Sequence, residues 1–351
     1  MRSPLLYTLI FILIYSCSKP ESFSDLPVQQ NSLIPGLNVE SSYLKDQLIS
    51  FNMIDSEGNN ITSSTSFIVD NQLINGNTIS YDEIGSHNVS ANYTIDSQNY
   101  STDLIVFNIV EPINKVIVED YTGTWCGYCP RVSYGIELVL AETDRVVPVA
   151  IHRQDEYNFN AQALENLIGL TGYPTAMLKR SISWNYPEPN NVNQVLNMTN
   201  GDADLGLSIN PTIDGNTMDI AIEVKFGIDY SLADLSLVVY VLEDDLFSNQ
   251  ENYTSYYGGA SVLTNFEHDH VLRASLTDLL GDPIPESSTT ADNIFTQTIT
   301  TNVPSNVSNS DNLSVVAFVV NASGNGTPGS SNQAINVRSA HFGDTQTLQE
   351  L

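Results

Sequence analysis

The chain has 351 residues, and its hydrophobic content of 41% is enough to build two or three domains with cores of their own. Acidic residues outnumber basic residues by 41 to 12, which gives a formal net charge of −29. Because such a surface repels nucleic acid and anionic lipid headgroups, we expect no nucleic-acid partner.

The N-terminus has the features of an export signal. The segment "MRSPLLYTLIFILIYSC" carries one positive charge at Arg2 and an apolar run from Leu5 to Tyr15 that is too short to span a bilayer. It ends at Cys17 in a pattern that resembles a bacterial lipoprotein cleavage box. We therefore predict a signal peptide over residues 1–16 and lipid attachment at Cys17. The alternative is an ordinary signal peptide followed by an incidental cysteine. Both interpretations place the mature protein outside the cytoplasm, where disulfides persist.

The next two segments contain no residues that suggest chemistry. Residues 17–36 are polar and proline-punctuated, which predicts a flexible, lipid-anchored tether and makes the membrane a partner of the chain. Residues 37–111 contain short apolar runs between turns rich in Gly, Asn and Asp, which predict a small all-β sandwich. This segment resembles a bacterial immunoglobulin-like module.

Residues 112–200 change to an alternation of strands and helices. "KVIVEDY" reads as a strand, "CPRVSYGIELVLAE" as a helix with one apolar face, and "RVVPVAIH" as the next strand. A helix at "FNAQALENLIGL", a strand at "TAMLKRS" and a short helix at "NNVNQVLNMT" follow. This order predicts an α/β domain with a right-handed crossover.

Residues 201–351 return to β patterning. Segments such as "TMDIAIEV" and "LSVVAFVV" are separated by long loops rich in Gly, Asn and Ser, which predicts a second β-sandwich. The expected fold class is therefore a multidomain α/β plus β protein, with a central α/β domain between two sandwiches.

Two of the three cysteines stand three positions apart, in "EDYTGTWCGYCPR". Cys126 and Cys129 follow a predicted strand and begin a predicted helix, where side chains at i and i+3 are within disulfide reach. The helix N-terminus stabilises a thiolate and lowers the pKa of the first cysteine. We expect Cys126 to be the exposed nucleophile, Cys129 to resolve the mixed disulfide, and Trp125 to shield the pair and contact substrates. This chemistry requires no cofactor.

The motif and two further features resemble the thioredoxin superfamily over residues 113–200. Asp120 lies six positions before the first cysteine, where the superfamily carries a buried acid. Pro174, in "GYPT", lies 45 positions after the second cysteine and precedes a strand. The resemblance implies that Asp120 accepts a proton from the resolving thiol. It also implies that Tyr173 and Pro174 form a cis-proline loop that faces the cysteine pair and binds substrate.

Nearly the whole mature chain is similar to a narrower group, the 28-kDa outer-membrane lipoprotein family of Gram-negative bacteria. The similarity rests on the tether, the first sandwich, "VEDYTGTWCGYCP", "VAIHRQDEY" and "EHDHVLR". It implies attachment to the outer membrane, without indicating which face. The sequence departs from thioredoxin at Tyr128, where thioredoxin has proline, so the direction of electron flow stays open.

Other interpretations of these residues remain. Cys126 and Cys129 are also compatible with a structural disulfide, or with half of a zinc site completed by histidines at positions 152, 268, 270 and 341, although we predict no metal. His152 either lines a redox groove or caps a strand end. The run from His268 to His270, with Arg273, either shares a metal or fixes a loop. Trp184 and the tyrosine-rich "NYTSYYGG" (residues 252–259) are expected to serve core and loop packing.

The expected function is thiol–disulfide exchange on extracytoplasmic proteins that carry thiols or disulfides, although the sequence leaves it uncertain that the protein is an enzyme. The first alternative is a non-enzymatic outer-membrane lipoprotein that binds a partner through its sandwiches, with the α/β domain as a scaffold. The second is a dedicated electron donor for cytochrome maturation.

Overall fold

The computed structural model describes residues 35–40, 42–325 and 331–348. The predicted signal peptide, Cys17 and all but the end of the predicted tether lie outside these residues. Within them, no helix is both long enough and apolar enough to cross a membrane.

The N-terminal part of the described chain is a β-sandwich. A six-stranded sheet in the order β2-β10-β8-β5-β6, with β9 on β8, packs across a core shared with the strand pairs β1-β4 and β3-β7. Phe107 and Ile109 on β10 point into this core and are fully buried, whereas Val106, just before Phe107, is 57% exposed, as the two-residue period of a strand requires. The strands are β1 (Gly36–Asn38), β2 (Ser42–Leu44), β3 (Ile49–Ser50), β4 (Asn52–Ile54), β5 (Ser66–Val69), β6 (Gln72–Leu73), β7 (Thr78–Ile79), β8 (Gly85–Ile95), β9 (Gln98–Ser101) and β10 (Ile105–Val110).

The central part alternates strands and helices, as the sequence predicts. β11 pairs in parallel with β12 across the crossover helix α1, and it pairs antiparallel with β13, which in turn pairs with β14. Helix α1 starts at Pro130, where the missing N–H costs nothing, and buries Val132 and Val139 against β11. The elements are β11 (Val116–Thr122), α1 (Pro130–Leu140), β12 (Val146–His152), α2 (Gln162–Ile168), β13 (Thr175–Leu178), β14 (Ile182–Ser183) and α3 (Val192–Met198).

The C-terminal part is again β-structure. β15, β16 and β22 form a three-stranded sheet, and β18 pairs only with β19 in a separate ribbon. The strands are β15 (Leu205–Asp214), β16 (Thr217–Phe226), β17 (Leu235–Glu243), β18 (Leu246–Glu251), β19 (Val262–His268), β20 (Val271–Ser275), β21 (Asp282–Pro283), β22 (Ile294–Asn302), β23 (Leu313–Asn321) and β24 (Gln333–His341).

One nine-stranded sheet runs through both the central and the C-terminal parts. Its order is β14-β13-β11-β12-β20-β17-β23-β24, with β21 beside β17. The junction is the parallel contact between β12 and β20, where Ala150 N donates to His270 O at 2.8 Å. The predicted boundary at residue 200 therefore does not separate two sheets. The sequence pattern identified the strands, but strand partners more than a hundred residues apart leave no periodic signal. The coarser expectation, a mostly β fold with several sheets, is confirmed, and the sheets are consistent with β-sandwiches.

The residues of β17 alternate between two cores. Val239 and Val241 face the three-stranded sheet, while Val238 and Tyr240 face the core shared with β11, β12 and α2. Because both faces of the strand are covered, its sequence is a continuous apolar run rather than an alternation.

Two buried cations connect the parts of the molecule. Arg180, after β13, contacts Glu119 on β11 (Nη2 to Oε1, 3.1 Å), hydrogen-bonds the Tyr240 hydroxyl on β17, and lies over the Phe318 ring on β23. All four side chains are fully or almost fully buried.

The second buried cation is Lys225 on β16, which binds the N-terminal sandwich. Its Nζ donates to Glu40 Oε2 at 2.8 Å and to Ser42 O at 3.0 Å. It also lies 5.2 Å from the centre of the Tyr43 ring.

Candidate functional site

The cysteine pair lies in the turn between β11 and α1. Cys126 N donates to Gly123 O at 2.9 Å, and Cys129 N donates to Cys126 O at 3.0 Å, so the turn is closed by its own backbone. The two cysteines form a disulfide with their Cα atoms 5.3 Å apart. Cys129 immediately precedes α1, and Ser133 N points back to its carbonyl.

Both cysteines are buried, which corrects the expectation that Cys126 is exposed. Cys126 is 4% exposed and Cys129 1%, although Trp125 and Tyr128 on either side are 44% and 55% exposed. A segment from the C-terminal part of the chain packs on the cysteine turn. The local sequence around the motif does not indicate this packing.

The covering element is the loop of the β18–β19 ribbon, residues 252–261, which we call the cap loop. Tyr253 N donates to Gly127 O at 2.6 Å. Glu251 N, just before the cap loop, donates to Thr124 O at 2.8 Å, and Gln250 Nε2 donates to Cys126 O at 3.0 Å. The motif is therefore bonded along its backbone to a segment more than a hundred residues later in the chain.

The Tyr173–Pro174 peptide bond is cis and lies beside the motif. Thr175, the next residue, pairs with Tyr121 near the end of β11, so the proline loop and the cysteine turn leave the sheet at the same edge. The Tyr173 ring meets the Trp125 ring edge-on at 5.5 Å. The predicted substrate-contacting residues thus lie together at one edge of the site.

These aromatic residues are fixed by hydrogen bonds. Trp125 Nε1 donates to Arg153 O at 2.6 Å, and the Tyr173 hydroxyl donates to Glu165 Oε1 at 2.9 Å. Burial and the Glu165 carboxylate raise the pKa of Tyr173 to about 12. The phenol therefore stays protonated and keeps donating at neutral pH.

Asp120 is buried on the face of β11 that carries α1. It is 2% exposed, and its Oδ1 has no hydrogen-bond partner. It lines a cavity of about 130 Å³, together with Ser133 one turn after Cys129. Burial raises the pKa of this carboxyl well above its usual range, and the charge of Glu188 adds to the effect while Arg131 opposes it.

The cavity is also lined by three histidines, His152, His268 and His270. The His152 and His268 rings are 5.2 Å apart, and His268 Nε2 lies 3.0 Å from Ser248 Oγ. Burial, and then the neighbouring His152, lower the pKa of His268 to about 3, so that this ring is neutral at neutral pH.

His152 connects this cavity to the cysteine turn. Its Nδ1 lies 2.7 Å from Asp155 Oδ2, and the same oxygen accepts the Thr124 N–H at 2.8 Å. Of the two interpretations offered for His152, the structure therefore favours a place beside the candidate site over a simple strand cap.

Of the other predicted polar residues, His270 lines the same cavity at the β12–β20 junction. Arg273 pairs with Glu243 at 3.0 Å rather than with the histidines. Among the described residues, the group of three or more possible metal ligands that lie close together is Asp245, Glu267 and Asp269. All three are exposed, as acidic groups on a surface commonly are.

Sequence reasoning missed the role of the cap loop. Its tyrosines were assigned to loop packing, which is correct locally but omits their target, the cysteine turn. In the folded protein Gly127 leaves room for this contact, since a Cβ there would lie 2.4 Å from the Tyr253 ring. In the sequence, however, a glycine inside a turn motif is equally explained by turn geometry, so it does not indicate the contact.

Comparison with known proteins gives a family and a shared fold. The family model described as "Outer membrane protein Omp28" matches residues 161–346, more than half of the chain. A search of curated proteins gives no match. Among solved structures, HBP35 of Porphyromonas gingivalis is 22% identical with a TM-score of 0.52, over 69% of this chain and 80% of that one. A domain of the outer membrane lipoprotein Omp28 from the same organism is 17% identical with a TM-score of 0.26, over 40% of this chain and 88% of that one.

The likeness to HBP35 shows a common fold, and the family match carries the assignment. The outer-membrane localisation predicted from the sequence is confirmed, while lipid attachment at Cys17 stays a prediction because that residue lies outside the described part of the chain. The chain belongs to the Omp28 family of outer membrane proteins.

Proposed function

We propose that the protein carries out thiol–disulfide exchange on extracytoplasmic partner proteins, with Cys126 as the nucleophile and Cys129 as the resolving cysteine. The observation that carries the proposal is the Cys126–Cys129 disulfide at the strand-to-helix turn, beside the cis-proline loop and one turn from a cavity with a buried carboxyl. No cofactor is needed, because the electrons pass between sulfur atoms.

The proposal includes a thioredoxin-like arrangement of the central elements. It is supported by the strand order β14-β13-β11-β12, in which the strand before the motif has a parallel neighbour on one side and the strand after the cis-proline on the other. β20 completes this arrangement from the C-terminal part of the chain, in parallel with β12.

The exchange step balances as follows in the reductive direction. The Cys126 thiolate attacks a partner disulfide, a mixed disulfide forms, and the partner's other sulfur leaves as a thiolate that takes up a proton. Cys129 then loses its proton and attacks the Cys126 sulfur, which forms the internal disulfide and releases the second partner sulfur as a thiol. Two electrons pass to the partner, and the reverse sequence oxidises a partner dithiol.

Asp120 is suited to accept the proton from Cys129. Its raised pKa makes the carboxylate a stronger base than an exposed aspartate. Asp120 shares its cavity with Ser133, one turn after Cys129 on α1, and the space there gives room for water beside the carboxyl.

Trapping of the mixed disulfide tests the proposal. The full-length Cys129→Ser variant lacks the resolving thiol, so its Cys126 should remain bonded to partners that appear as reducible bands after acid quenching. The matched control is the Cys126→Ser/Cys129→Ser double variant, which retains Cys17. Identical band patterns in the two variants would rule out exchange at Cys126.

The alternative function is a non-enzymatic lipoprotein that binds a partner through its sandwiches. The observation that favours it is the burial of both cysteines, which is typical of structural sulfur. It predicts no trapped partners and very slow reaction of the reduced protein with thiol reagents. For an active pair, the reduction potential separates an electron donor, such as one for cytochrome maturation, from an oxidant.

A further inference from the structure

Hydrogen bonds within the cap loop fix its conformation. Asn252, which is 2% exposed, organises it from within: its Nδ2 donates to Tyr256 O at 3.2 Å and to Ala260 O at 3.0 Å. Its own N–H donates to Ser261 O at 2.9 Å, and its Oδ1 accepts from Thr254. The loop therefore holds its shape through one buried side chain.

The far side of the cap loop is fixed to helix α1. The Tyr256 ring stacks on the Tyr134 ring at 4.7 Å. The Tyr257 hydroxyl donates to Glu137 Oε1 at 2.6 Å. With the backbone bonds to Thr124 and Gly127, these contacts hold the cap loop at both ends of the cysteine turn.

Tyr253 is the residue of the cap loop that lies on the motif. Its ring packs on Gly127 so closely that a Cβ at that position would lie 2.4 to 2.6 Å from three ring atoms. It meets the Tyr128 ring edge-on at 5.6 Å and is itself 63% exposed. It thus stands at the rim of the site, where an approaching partner meets it before reaching Cys126.

At Trp125 the motif borders an open groove. This groove is lined by Trp125 and Tyr173 on one side and by helix α2 on the other, and Cys126 lies next to Trp125 in the chain. A single extended segment of chain fits such a groove, whereas the broad surface of a folded domain meets the Tyr128 and Tyr253 rings first.

We propose that Tyr253 is a specificity-determining residue, which restricts Cys126 to cysteines in extended, flexible segments and excludes cysteines on the surfaces of folded domains. This inference rests on the proposed exchange function and names the substrate class that it serves. The physical cause is steric: the attacking sulfur must approach along the S–S axis, and the cap loop blocks wide approaches while leaving the groove free.

The test compares one chemical group on two carriers. A mixed disulfide with 5-thio-2-nitrobenzoate is formed on a short unstructured peptide and on a surface cysteine of a small folded protein, and each is mixed with the reduced full-length protein. The wild type should react faster with the peptide. Tyr253→Ala should raise the rate constant for the folded carrier by about tenfold or more while that for the peptide changes by less than about twofold.

Three further variants make the result specific. Tyr253→Phe keeps the ring and should behave like the wild type. Gly127→Ala displaces the ring without removing it and should shift the ratio in the same direction as Tyr253→Ala. Tyr100→Ala removes an exposed tyrosine from the N-terminal sandwich and should leave both rate constants unchanged.

The outcomes distinguish the two levels of the proposal. If all proteins react with the carriers but the folded-to-peptide ratio is the same in Tyr253→Ala as in the wild type, Tyr253 does not determine specificity. If no variant reacts with either carrier or with oxidised glutathione, the exchange function itself is overturned, and this inference with it.

Discussion

Two adjacent acids near the end of β11 face opposite sides of the sheet, and they differ in whether a cation pairs with them. Glu119 meets Arg180 in the core, while Asp120 faces the cavity under α1 without a counter-ion of its own. A strand places neighbouring side chains on opposite faces, so one position in sequence separates a structural ion pair from a candidate proton acceptor.

The sequence identified one of these acids and not the other. Asp120 was found because its distance from the cysteine motif is a local feature with a chemical reason. The partner of Glu119 lies 61 positions later, after a different strand, and no spacing rule connects the two. The same limit applies to Tyr253, whose target Gly127 is fixed by tertiary packing alone.

The buried Asp120 carboxyl should make the stability of the protein depend on pH. Its folded-state pKa lies above the ordinary value of 3.8, so the folded protein holds the proton more tightly than the unfolded chain does. The stabilisation that comes from this tighter proton binding is fully present below about pH 4 and is lost as pH rises through the folded-state pKa of Asp120. Relative to the wild type, Asp120→Asn should therefore gain about 1–3 kcal/mol at about pH 8 and little at about pH 4.

Urea unfolding of both proteins across that pH range measures the difference directly. A stability difference that stays constant with pH would mean that Asp120 titrates in the folded protein as it does in the unfolded chain. Asp278→Asn serves as a control, because Asp278 is exposed and its Oδ1 accepts a hydrogen bond from the nearby Leu280 N–H.

At the scale of elements, the buried Arg180 connects four strands or their ends. Arg180→Ala leaves the Glu119 carboxylate buried without its cation and removes the contacts with Tyr240 and Phe318. We expect a loss of about 3–5 kcal/mol in the free energy of unfolding, as for other broken buried ion pairs. Arg145→Ala, at a partly exposed position, should cost much less.

Chemical denaturation followed by tyrosine and tryptophan fluorescence would report this loss. A second variant, Arg180→Met with Glu119→Gln, removes both charges and should recover part of the stability. If the double variant were no more stable than Arg180→Ala, the cost would arise from lost packing rather than from the unpaired carboxylate.

Elements were predicted more accurately than their partners. The strand and helix runs of the central part follow from local apolar periodicity, and α1, β11 and β12 lie where the pattern placed them. The ribbon β18–β19 could not be placed in this way. Its two strands pair with each other, and its cap loop contacts the cysteine turn in the central part of the chain. The local sequence pattern does not indicate which distant segment such a loop contacts.

At the scale of the whole molecule, Lys225 decides how firmly the N-terminal sandwich is held. Its ammonium is fully buried against Glu40, the Ser42 carbonyl and the Tyr43 ring. Lys225→Ala should destabilise the protein by about 2–4 kcal/mol, since it removes the bond to the buried Ser42 carbonyl and the pairing with the partly exposed Glu40, and opens a cavity. The partly exposed Lys45–Glu111 pair is the matched control, and Lys45→Ala should have much less effect.

Limited proteolysis distinguishes a loosened interface from general instability. In Lys225→Ala we expect faster cleavage near residues 111–115 while the remainder of the chain resists the protease. Equal rates of cleavage there in the variant, the wild type and Lys45→Ala would show that other contacts hold the sandwich in place.

The nine-stranded sheet, which combines strands from the central and the C-terminal parts, also affects how the chain is exported and folded. β11 and β12 are translated early, yet their core is completed by β17, β20 and β23, the last of which ends at Asn321. During synthesis and export the chain therefore exposes apolar strands whose partners have not yet been made. Pairing between strands so distant in the chain is slow. Synthesis must be almost finished before the cysteine turn acquires its final neighbours in the cap loop, so a chaperone that holds the chain until then would protect both the unpaired strands and the cysteines.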